Sequence, residues 1–96
     1  MGKLQEIYCD FNARKTEQGY SLDRNGSVND LKKIGYSLES AKGKRFRFYM
    51  DDADDDGTLN DIMFDGIVIY SEDFGYLAEQ ESEIFWRNDV KNENGT

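Results

Sequence analysis

The chain contains no histidine and no proline, and its single cysteine is Cys9. Without histidine there is no imidazole base, no Ser-His-Asp triad and no His-ligated metal. With one cysteine there is no internal disulfide, which fits a reducing compartment and leads us to expect a cytoplasmic protein of bacterial or phage type. Long hydrophobic runs are also missing. Nothing approaches the ~20 apolar residues of a membrane helix, and the first six residues, MGKLQE, lack the apolar core of a signal peptide. Glu6 fills the position where a myristoylation signal needs Ser or Thr.

What remains is 96 residues with a formal net charge of −8. That length suits one compact domain, taken here as residues 1–88, followed by a polar and disordered tail at 89–96. The charge is uneven. Residues 1–31 sum to −1, residues 32–47 to +5, and residues 48–96 to −12. The acidic part therefore dominates a chain that is dipolar along its length.

Glycine recurs at 19, 26, 35, 43, 57, 66 and 75, spaced 7 to 14 residues apart. Turn signals at that rhythm predict many short strands. A first strand is expected over 4–11, with Ile7, Cys9 and Phe11 on one face. A short return strand follows at Tyr20, Ser21 and Leu22. Asn25-Gly26 predicts a turn.

One short helix is expected near residues 28–34, capped by Ser27 and closed by Gly35, with Val28, Leu31 and Ile34 on its buried face. A turn follows over 40–43. Residues 44–50 alternate cleanly, with Phe46, Phe48 and Met50 facing one way and Arg45, Arg47 and Tyr49 the other. An acidic loop spans 51–61. A central strand covers 62–70 with a bend at Asp65-Gly66, a hairpin loop covers 71–75, and strands follow at 76–80 and 84–87.

From about residue 35 to residue 88 this order of elements resembles a small SH3-like barrel. The implied fold is mainly β: a partly open SH3-like β-barrel of five to six short antiparallel strands with one helix. Such barrels serve many unrelated roles, so the resemblance implies no activity.

Three constellations could carry chemistry. The first is the loop at residues 52–60, which places Asp52, Asp54 and Asp56 at alternate positions before Gly57, with Asn60 at the ninth. That is the start of an EF-hand-type calcium loop, in which alternate carboxylates aim at one centre and glycine permits the sharp bend. Its twelfth position, where a bidentate glutamate belongs, is Met63. Calcium through Asp52, Asp54, Asp56 and Asn60 is therefore one alternative reading.

The second is the strand face of Arg45, Arg47 and Tyr49, which could track phosphates and stack a base. Overall charge opposes nucleic acid, so this is the weaker alternative. The third is the acidic surface itself, with Asp51, Asp55, Asp61, Glu72 and Asp73 as partner-binding candidates. Clustered carboxylates on a rigid small fold can imitate a phosphate backbone and steer toward a basic protein. Phage inhibitors and toxin-neutralising immunity proteins are similar in composition. No carboxylate pair stands out for acid–base catalysis, and Cys9 sits among apolar neighbours as a core residue. The expectation is a non-enzymatic protein–protein interaction or inhibitory module, with no cofactor beyond the candidate calcium and no membrane contact.

Overall fold

The computed structural model describes residues 4–51, 57 and 60–87. Apolar–polar alternation produces six strands: β1 (Glu6–Tyr8), β2 (Gly19–Ser21), β3 (Arg45–Met50), β4 (Ile62–Ser71), β5 (Gly75–Gln80) and β6 (Phe85–Trp86). Two helices, α1 (Asn25–Lys33) and α2 (Leu38–Ala41), lie between β2 and β3. The sheet runs β1-β3-β4-β5-β2, and β6 also pairs with β4. All pairings are antiparallel except β1 with β3, which is parallel.

The chain is thus β-rich, as its glycine rhythm predicts; of the expected partly open SH3-like barrel the six-stranded sheet forms, but it is not a closed barrel, and one of its pairings is parallel where antiparallel strands alone were expected. The sheet is mixed and stays open. Closure would require β1 and β2, at opposite ends of the order, to meet, and both outer edges are already engaged. Along β1, the Tyr8 backbone N–H donates to Asp30 Oδ2 at 2.9 Å, and the Ser27 hydroxyl donates to the Tyr8 carbonyl. Helix α1 thereby satisfies the edge groups that another strand would otherwise claim. Along β2, the Ser21 N–H donates to the Ala13 carbonyl at 2.9 Å.

The parallel entry of β1 requires a crossover, and β2, α1 and α2 supply it. The helix itself starts earlier than its capping signals suggest. Its N-cap is Arg24, without a side-chain cap, and Asn25-Gly26 opens the first turn instead of forming a separate β-turn. Gly26 is needed for proximity: a Cβ there would lie 2.7 Å from the Tyr8 ring. Ser27, freed from capping, is fully buried against β1, while Val28 is 36% exposed. The buried stripe is Ser27 and Leu31, with Ile34 packed beside it. Gly35 closes the helix at φ +88, as expected.

The expected turn over 40–43 is in part α2, held by a reciprocal Ser37–Ser40 capping box. Gly43 then turns the chain at φ +83. Strand β3 keeps its predicted alternation, with Phe46 and Phe48 buried. Register places Phe48 opposite Phe64 on β4 and beside Ile7 on β1, so one sheet face builds the core with Val68, Ala78, Tyr20, Leu22, Leu31 and Ala41. Phe64 is its centre, with ring centroids of Phe11, Tyr20 and Phe48 at 5.0, 5.2 and 5.4 Å.

The expected bend at Asp65-Gly66 falls on the partner strand. β4 runs through unbroken, while its neighbour is interrupted between β5 and β6. There the Glu81 and Ser82 N–H groups both donate to the Asp65 carbonyl, and the Asp65 N–H donates to Ser82 Oγ at 2.8 Å. Gly66 is buried because the Glu79 carbonyl occupies the space a Cβ would need.

Candidate functional site

The two sheet faces differ sharply. One carries the aromatic core under the helices. The other is lined by residues that register places together: Glu6 on β1, Arg45, Arg47 and Tyr49 on β3, and Asp65 on β4. The sequence expectation that Arg45, Arg47 and Tyr49 share a face is met. Their charge, however, is used within the molecule. Arg47 makes a two-pronged contact with Asp65 at 2.7 and 3.0 Å and lies 5.0 Å from the Phe85 ring centre. Arg45 holds Glu81 at 2.9 and 3.3 Å.

Arg87, just after β6, holds Asp61 at 2.7 Å and Glu6 at 2.9 and 2.8 Å, with its guanidinium 5.8 Å from the Tyr49 ring centre. Its hydrogen bonds to Glu6 and Asp61 hold it protonated more firmly than an isolated arginine, against the opposing effect of burial. Tyr49 donates its hydroxyl to Asp30 at 2.9 Å. Burial, then that hydrogen bond, pushes its phenol up from 10.0 to about 12. A phosphate would have to displace carboxylates already paired to Arg45 and Arg47. That opposes the nucleic-acid reading of this face.

The candidate acids separate in the same way. Asp61 is half-buried and engaged with Arg87, so it is a structural partner and not a free contact. Asp51 is exposed. Asp52, Asp54, Asp55 and Asp56 lie outside the described residues. Asn60 is buried at 8% exposure and does not project from a surface loop. Met63, at the twelfth position counted from Asp52, is 1% exposed within β4. Among the described residues, no group of three or more Cys, Asp or Glu side chains could hold a metal ion.

Glu72 and Asp73 are exposed at the tip of the β4–β5 hairpin. Ser71 pairs with Gly75, leaving a three-residue loop closed by Gly75 at φ +80. Inside it, Ser71 Oγ accepts from the N–H groups of both Asp73 and Phe74 at 3.2 Å. The tip is therefore held in shape by its own hydrogen bonds. Asp23 lies beside it, because a Cβ on Gly75 would come within 2.7 Å of the Asp23 carboxylate.

Sequence reasoning missed the aromatics on this hairpin. Tyr70 is 52% exposed and Phe74 is 41% exposed. Tyr70 packs edge-on against Tyr76 with centroids 5.0 Å apart. Tyr70 reads as core because its strand is apolar, but β3 begins opposite Ile67 and does not flank it. Phe74 was legible as an aromatic inside a predicted loop. Cys9 is fully buried, as expected, and burial pushes its thiol up from 9.0 to about 12.

Set against protein families, curated proteins and solved structures, the chain matches none of them. No helix among the described residues is long and apolar enough to cross a membrane.

Proposed function

We propose that this chain is a non-enzymatic cytoplasmic interaction or inhibitory module that meets a basic protein partner through acidic surface residues. One observation carries the reading. The arginines of the sheet face opposite the aromatic core are tied up in ion pairs, whereas Glu72 and Asp73 stand exposed on a hydrogen-bonded tip. The net charge of −8 supports it, since long-range attraction then favours cationic partners. A rigid display also lowers the ordering cost of binding.

The test is retention of proteins from a lysate of the source cell on immobilised chain, compared with the Glu72→Lys/Asp73→Lys variant. The expected result is a basic protein held by the wild type, released by salt and lost in the variant. Retention that is equal in the two chains and indifferent to salt overturns the proposal.

A further inference from the structure

We infer that the β4–β5 hairpin tip is an arginine-recognition point: a partner guanidinium lies against Tyr70 and Phe74 while Glu72 and Asp73 take its charge. This rests on the acidic-surface reading above and specifies which side chain of the partner is read.

Exposed large apolar side chains on a small protein mark contact surfaces when they cluster beside polar groups. Here Tyr70, near the end of β4, and Phe74, in the turn that Ser71 and Gly75 fix, are each about half-exposed. Tyr76 braces the Tyr70 ring edge-on. Glu72 and Asp73 sit in the same three-residue loop, and Asp23 adjoins Gly75. Even counting Arg24, which follows Asp23, these four charged residues leave a local charge of −2.

Exposed aromatic rings and carboxylates carried within one short hairpin suit a cation that is flat, weakly hydrated and able to stack. Arginine has all three properties, and lysine is a compact, strongly hydrated point charge. The same chemistry already operates within this molecule: Arg47 pairs with Asp65 while lying on Phe85, and Arg87 pairs with Asp61 while lying on Tyr49. The hairpin tip offers the same two components, a carboxylate and an aromatic ring, on an exposed turn.

The probes are blocked tetra-arginine and tetra-lysine peptides, titrated at low salt into the full chain and followed by backbone amide shifts. The wild type is expected to bind the arginine peptide about 2–5-fold tighter, the range a surface cation–π contact supplies. The largest shifts should fall on residues 70–76. Phe74→Ala, in the loop, and Tyr70→Ala should remove the preference while keeping the native amide spectrum. Asp73→Asn should weaken both peptides.

Equal binding of the two peptides, a preference that survives both aromatic substitutions, or shifts centred elsewhere overturns the inference and leaves the acidic-surface reading standing. If neither peptide binds at low salt, both are overturned.

Discussion

The carboxylate of Asp30 on α1 accepts the Tyr49 hydroxyl of β3 and the Tyr8 backbone N–H of β1, each at 2.9 Å. One side chain thus fastens the helix across two strands, and it is only 19% exposed. Asp30→Ala should destabilise the fold by about 1–3 kcal/mol, because it leaves a part-buried edge N–H without an acceptor. Tyr49→Phe removes one hydrogen bond and should cost about 0.5–1.5 kcal/mol. In chemical denaturation the double variant should lose less than the sum of the two, since both remove the same bond.

Alkali should progressively destabilise the folded protein. Burial raises the Cys9 thiol from 9.0 to about 12, and burial with the Asp30 bond raises the Tyr49 phenol from 10.0 to about 12. The folded state therefore holds these protons more tightly than the unfolded chain does. Their contribution is complete below pH 9.0 and is lost as pH climbs toward about 12. Melting temperature should fall steadily across that window, and Tyr49→Phe should flatten its upper part. The Cys9 thiol should also resist alkylation near neutral pH until denaturant is added.

Gly66 should tolerate no side chain. Its Cβ would overlap the Glu79 backbone carbonyl, which cannot swing aside as a side chain would. Gly66→Ala is expected to cost more than 2 kcal/mol, roughly the upper range of single substitutions, and to lower the thermal midpoint. Alanine at exposed Gly43 meets open space and costs only the strain of its φ of +83, about 1–2 kcal/mol.

Calcium is expected to do little. Met63 is buried in β4 where a calcium loop would place its bidentate glutamate, and Asn60 is buried as well. Adding about 1 mM calcium, the weak end of known loop affinities, should leave the melting temperature where matched magnesium leaves it. A calcium-specific rise that is lost in Asp54→Ala would restore the metal reading.

The strands were legible because period-two alternation is a local signal. Phe46 and Phe48 against Arg47 and Tyr49 fix β3 from sequence alone, and Gly35 marks a helix stop whose positive φ the structure bears out. The parallel entry of β1, bordered by α1, was not legible. It depends on Asp30 and Ser27 reaching Tyr8, contacts 22 and 19 residues apart that carry no periodic signature. Ser27 also looks like a cap from its neighbours and becomes a buried edge clamp only through β1. The candidate surface was half legible: Glu72 and Asp73 follow from the predicted loop, but the exposure of Tyr70 follows from where β3 starts, which is a tertiary fact.

The most direct measurement is the affinity of the captured basic partner for the purified chain across a salt series, wild type against Glu72→Lys/Asp73→Lys. An acidic-surface module predicts affinity that falls steeply with salt in the wild type, and weak binding with a flatter salt response in the variant. Identical affinities and identical salt slopes in the two chains would contradict it.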